Sequence, residues 1–224
     1  MESILVVAAH PDDEVLGCGG YLAKRASEGH KVSALFVSDG VSSRSGMVKP
    51  SEVKSRRAAA LEAGAILGID SHVFGDFPDN QLDTVPLLAI VKFIEDAILV
   101  SNPEIVLTHH RGDLNVDHSI VSKATLTACR PQPESKIKTL LFYETPSSTE
   151  WNFGTNESFF IPNWFEDVSE CLTQKLKALE AYKLELRDWP HPRSTRAIKG
   201  LAELRGASCG LDAAEAFVLG MQIS

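Results

Sequence analysis

The 224-residue chain is short of cysteine, of clustered basic charge and of long apolar runs, and each shortage removes a class of function. Its four cysteines, Cys18, Cys129, Cys171 and Cys209, are far apart and form no C-x-x-C pair. That argues against a thiolate zinc cluster or a dithiol redox motif, and predicts reduced thiols in a cytoplasmic protein. The formal net charge is −8 with no long basic run, so a broad nucleic-acid-binding face is not expected. No apolar stretch approaches the roughly 18–20 residues of a membrane span. The N-terminus enters a short apolar run directly, without the basic region of a signal peptide. The spacing G-x-G-x-x-G of a dinucleotide loop is also missing. Gly17, Gly19 and Gly20 are better suited to close helix–sheet packing.

What remains is an ordinary globular composition, 44% hydrophobic and 23% charged, in a chain long enough for a substantial core. Residues 3–8 and 32–37 are apolar and rich in β-branched side chains, as in central strands covered on both faces. Between them, 15–28 reads as a helix closed by Gly29. This β-α-β unit predicts a parallel sheet with a right-handed crossover. A polar loop spans 38–50, and a helix follows over 51–68 with Ser51 as its cap. A short strand at 73–74, a polar loop at 77–83, a helix at 87–100 and a strand at 104–108 come next. Then follow a helix at 119–129 and a strand at 139–143. Beyond these, 147–156 shows no pattern, 159–161 reads as an edge strand, and 164–186 reads as one long helix. A Pro-rich turn at 189–196 leads to a helix at 195–205, and 213–221 is left unassigned. The expected fold is α/β: a Rossmann-like, mostly parallel sheet with helices on both faces. Residues 1–145 form its core, and 146–224 form a C-terminal strand and helix appendage over the sheet edge, within one domain.

Two segments at strand ends carry the chemistry. Ala9-His10-Pro11-Asp12-Asp13-Glu14 places one imidazole and three carboxylates directly after the first strand. His109, His110, Asp113, Asn115, Asp117 and His118 follow the 104–108 strand. Buried charge beside a core must be paired or bound to metal. Both segments reach the carboxyl edge of the sheet, where open α/β sheets bind ligands. Two histidines and a carboxylate from them would make a catalytic metal site with one position left for water.

These residues carry a family resemblance. The Ala9–Glu14 stretch and Asn115-Val116-Asp117-His118 resemble the two signature motifs of the zinc-dependent N-acetylglucosaminyl deacetylases (PIG-L, or LmbE-like). The intervening helix with Arg56 and its Leu67-Gly68 ending match as well. The resemblance implies Zn2+ held by His10, Asp13 and His118, with another divalent ion also accommodated by such ligands. It implies Asp12 as the base that activates water and then as the acid that protonates the departing amine. Arg56, Asp79 and Asn80 would contact the sugar. His191-Pro192-Arg193-Ser194 and Arg205-Gly206 resemble C-terminal motifs of a bacterial subset, with His191, Arg193 and Arg205 folding back over the pocket. Several relatives have a histidine where this chain has Asn115. Either Asn115 steadies the oxyanion by itself, or His110 or His191 supplies the charged donor. Asp117 is read as an orienting or intermediate-binding group, or as a helix cap. The implied partner is a small N-acetylated amino sugar, with no nucleic acid and no membrane; a homo-oligomer stays open. Two rivals stand beside this reading: a metal-dependent hydrolase of a non-sugar amide, and a non-catalytic ligand-binding protein on the same scaffold.

Overall fold

The computed structural model describes residues 1–43, 50–154 and 159–224. Seven strands form one sheet: β1 (Ser3–Ala8), β2 (Lys31–Ser38), β3 (Ser71–Phe77), β4 (Ile105–His109), β5 (Thr139–Tyr143), β6 (Trp164–Asp167) and β7 (Ala214–Gln222). Their order is β3-β2-β1-β4-β5-β7-β6. The first five are parallel, and β7 runs antiparallel to both β5 and β6.

β1 is buried along nearly its whole length, and its side chains alternate between two cores. Ile4, Val6 and Ala8 join a core with Tyr21, Ala63 and Leu179. Leu5 and Val7 join the other, with Ile94 and Val121. Thus α1 (Asp13–Ser27), α2 (Pro50–Leu67) and α5 (Leu172–Leu179) cover one face, while α3 (Leu87–Ser101) and α4 (Val116–Ala128) cover the other. The C-terminal helices α5 and α6 (Thr195–Ala207) complete the layer over β7 and the start of α1. The expected α/β architecture is therefore present.

The differences lie mainly beyond residue 145. Residues 164–167 are strand β6 rather than the start of a long helix, because Trp164 to Asp167 pair with β7 at Phe217 to Ala214. Helix α5 begins only at Leu172, and a 3-10 turn at Glu180–Tyr182 ends it. No strand forms at 159–161; of the expected irregular stretch 147–156, residues 155 and 156 lie outside the described residues. The unassigned 213–221 region is β7, whose Glu215 sits at a buried position and blurs the apolar pattern. Helix α2 opens at Pro50, so Ser51 lies inside its first turn; part of the expected 38–50 loop, 44–49, is outside the described residues.

Two glycines show why α1 can lie so close to its neighbours. A Cβ on Gly17 would come within 2.2 Å of the Tyr143 ring, and one on Gly20 within 2.9 Å of Val168. Helix α1 is also kinked at Cys18 (φ −146°, ψ 21°). Lys175 and Glu215 fill the kink. The Lys175 ammonium donates to the Leu16 carbonyl at 3.0 Å and pairs with Glu215 at 2.6 Å. Glu215 in turn accepts the Gly20 and Tyr21 N–H groups at 2.8 and 2.6 Å.

Candidate metal centre and cleft

The chain runs outward from β1 to β2 and β3, then returns to place β4 on the other side of β1. The carboxyl ends of β1 and β4 therefore border a topological switch point, where the sheet opens a crevice. His10, Asp12 and Asp13 follow β1 there, and the 110–118 segment follows β4.

His10 Nδ1, Asp13 Oδ2 and His118 Nε2 converge. Asp13 Oδ2 is 3.2 Å from His10 Nδ1 and 3.4 Å from His118 Nε2, and the two ring nitrogens are 3.3 Å apart. A tetrahedral ion with bonds of roughly 2.0–2.2 Å to nitrogen and oxygen has ligand-to-ligand edges of about 3.3–3.6 Å. These three groups thus match one face of such a tetrahedron. The second Asp13 oxygen, Oδ1, is buried without a hydrogen-bond partner among the described residues, as a carboxylate turned toward a cation would be. Burial alone would raise Asp13, but His118, His109 and His10 hold its carboxyl well below the ordinary range. Burial would likewise lower His118, yet Asp13 and Asp113 hold it at about 9. A surplus of negative field is what a divalent cation would neutralise.

Both proposed histidine ligands are oriented from behind. His10 Nε2 faces Asp117 Oδ2 at 3.1 Å and Asp79 Oδ1 at 3.0 Å. Asp117 also accepts the Asn80 and Leu82 N–H groups at 2.7 and 3.0 Å, which ties the 77–83 loop to the site. Asp79 is steadied by the Ser43 hydroxyl at 2.5 Å. On the other side, His118 Nδ1 lies 3.1 Å from Asp113, which accepts hydroxyl hydrogens from Ser148 and Thr149. His109 stacks on His118 with centroids 3.9 Å apart and accepts the Ala9 N–H at 2.9 Å. His10, Asp79 and Asp117 form a second group close enough to share an ion. Those carboxylates face His10 Nε2, the ring nitrogen turned away from Asp13 and His118, so orienting His10 is the role they fit.

Asp12 stands at the N-cap of α1, yet its side chain makes no capping bond. Its oxygens instead meet Arg56 at 3.1 Å and Arg193 at 3.1 Å. Burial pushes the Asp12 carboxyl upward while both arginines pull against it. Its φ of 129° lies in a region that L residues rarely adopt, at a cost of about 1–3 kcal/mol. The Asp12 N–H is accepted by Glu14 at 2.9 Å, and Glu14 accepts the Tyr182 hydroxyl at 2.6 Å. Burial pushes Glu14 up to about 8, even with the Tyr182 and backbone hydrogen bonds opposing it.

A cleft of about 140 Å³ opens over these groups, lined among others by His10, Asp12, Arg56, Asp79, Asn115 and Arg193. Asn80 lines it too, so most of the residues picked out by motif share one opening. Asn115 is already engaged: Oδ1 caps α4 through the Asp117 N–H, and Nδ2 donates to Asn80, both at 2.9 Å. His110, His191 and Arg205 do not line this cleft. His110 packs edge-on against Phe160, and His191 against Trp151. Arg205 forms a two-pronged pair with Glu144 at 2.8 Å. Sequence reasoning gave no role to Tyr182 or to Glu185, which pairs with Arg56 at 2.6 Å, and offered Asp113 only as one of several ligand-type residues. Asp113 at least sits inside the ligand-rich segment; nothing local marks the other two, which arrive from a distant turn.

Residues 5–129 match the PIG-L family model, described as GlcNAc-PI de-N-acetylase. The uncharacterized deacetylase YaiS of Escherichia coli K12 is 35% identical over 188 residues, covering 81% of this chain and 91% of YaiS. Diacetylchitobiose deacetylase of Thermococcus kodakarensis is 27% identical, covering 82% of this chain and 70% of that enzyme. The crystal structure of the conserved protein TT1542 from Thermus thermophilus superposes with a TM-score of 0.78 at 27% identity, covering 100% of this chain and 97% of that one. By sequence and by fold, the chain belongs to the PIG-L (GlcNAc-PI de-N-acetylase) family.

Proposed function

We propose that this protein is a zinc-dependent deacetylase that hydrolyses the acetamide of an N-acetylated amino sugar to acetate and a free amine. The convergence of His10, Asp13 and His118 at tetrahedral spacing carries this reading, with His10 lining the same cleft as Asp12. His10, Asp13 and His118 would hold the ion, and zinc is the choice that the family suggests; another divalent ion fits the same donors. An ion held there acidifies water to a pKa near about 7 and polarises the amide carbonyl. Asp12 takes the proton of the attacking water and later returns it to the departing nitrogen. Arg56 and Arg193 keep its carboxylate turned into the cleft. Arg56 and Arg193 are both charged donors beside Asp12, so the site keeps cations where this chain has Asn115 in place of a histidine. Asp79 and Asn80 offer acceptors and a donor to sugar hydroxyls. His110, His191 and Arg205 support the surrounding segments.

Residues 1–145 supply the metal ligands and the base, and the C-terminal part of the same domain closes over them through Arg193. Four free thiols support a cytoplasmic setting, and no helix among the described residues is long and apolar enough to cross a membrane. The test is a panel of N-acetylated sugars, free, nucleotide-linked and glycosidic, assayed for released primary amine before and after metal chelation. Release from at least one sugar, lost on chelation and restored by zinc, is expected. Cleavage confined to non-sugar amides would overturn the substrate class, and turnover indifferent to chelation would overturn the metal role.

A further inference from the structure

Glu14 is fully buried, belongs to no proposed ligand set, and accepts two hydrogen bonds, one on each carboxylate oxygen. One oxygen holds the N–H of Asp12, the residue with the rare backbone conformation. The other holds the hydroxyl of Tyr182, which comes from the turn after α5. In a capping box the cap residue's side chain closes the helix while an acidic residue at the third helical position reaches back to the cap's N–H. Glu14, at the second position of α1, makes a return bond of that kind. The Asp12 side chain makes no capping bond and turns to Arg56 and Arg193 instead.

Tyr182 touches the same residue by a second route. The Arg56 guanidinium lies over its ring at 5.5 Å, and Arg56 pairs with Asp12 Oδ1. The ring therefore sits behind the cation that aims the carboxylate, while the hydroxyl sits behind the carboxylate that pins the backbone. We infer that Glu14 and Tyr182 are positioning residues for Asp12, fixing the direction of the base without touching substrate. The inference rests on the deacetylase reading for its kinetic consequence, and on the hydrogen-bond geometry alone for its structural one.

Two measurements separate these dependences. The first is amide hydrogen exchange at Asp12, followed by NMR in the zinc-loaded parent, Glu14→Ala, Glu14→Gln and Tyr182→Phe. Faster exchange at Asp12 is expected in Glu14→Ala and Tyr182→Phe. Glu14→Gln, whose amide oxygen can still accept the N–H, should retain protection. Unchanged Asp12 protection in Glu14→Ala would overturn the inference, whatever the protein's activity. The second is kinetic, on a sugar that the parent cleaves. A displacement of the base near 1 Å costs about 100-fold, so Glu14→Ala should lose kcat on that scale with KM and bound metal unchanged. Tyr182→Phe should fall in the same direction, and Glu14→Gln should recover most of the loss. In an Asp12→Asn background, Tyr182→Phe should cost nothing more, because no base remains to aim. An equal loss in that background, or a loss that tracks metal content, would contradict positioning. A parent that cleaves no sugar defeats the deacetylase reading and leaves the exchange result to decide this inference.

Discussion

Asp117 links three parts of the site through one carboxylate: the His10 ring, and the N–H groups of Asn80 and Leu82. At the scale of single residues, such partners behind a ligand govern metal affinity more than their distance from the ion suggests. Replacing Asp117 with Asn should weaken zinc binding by about 10–100-fold, measured by competition with a chromophoric chelator. Unchanged affinity would mean that His10 is oriented by Asp79 alone. At this scale the sequence was informative where motif residues are neighbours in the chain. His10, Asp12, Asp13 and His118 stand out because carboxylates and imidazoles at strand ends need a reason to be there. Glu14 stood out in the same way but could not be given a partner, since Tyr182 lies 168 positions away. Arg205, expected over the pocket from its motif, pairs with Glu144 and does not line the cleft.

Among the elements, α1 brings Asp12 as its cap and Asp13 and Glu14 in its first turn, while α4 brings Asp117 and His118. The kink of α1 at Cys18 releases backbone groups that Lys175 of α5 and Glu215 of β7 satisfy. Breaking a buried pair of this kind by removing one partner costs about 3–5 kcal/mol. Lys175→Met should therefore lose stability on that scale in urea unfolding. The double variant Lys175→Met/Glu215→Leu should not recover it, because the Gly20 and Tyr21 N–H groups then lose their acceptor. Full recovery would show that the pair matters only as an ion pair and not as a filler of the kink. Strands β1, β2, β4 and β5 were legible because buried parallel strands read as continuous apolar runs. In the appendage the helix at 195–205 was legible, as α6, but the strands were not. Strand β6 is too short to show a period, and its pairing with β7 across some 50 residues leaves no local signal. Glu215 on β7 is polar for a reason that lies on α1.

Across the whole molecule, the sheet order brings the two ligand-bearing segments together at the β1/β4 switch point, and the C-terminal part returns Tyr182, Glu185 and Arg193 to the same place. Metal should consequently stabilise the entire fold rather than one loop. At a free zinc concentration 100 times its dissociation constant, stability should rise by about 2.7 kcal/mol, seen as a higher unfolding midpoint that chelation reverses. His118→Ala should show almost none of that gain, and an equal gain in this variant would place the ion elsewhere. The division of labour between metal ligands and base is tested most directly by Asp12→Asn. Metal content and amine release are measured on the same preparations of parent and variant, with an N-acetylated sugar that the parent cleaves. One zinc per chain in both proteins is expected, with turnover in the parent and almost none in the variant. Parental turnover in Asp12→Asn would contradict the assignment, and so would loss of its metal.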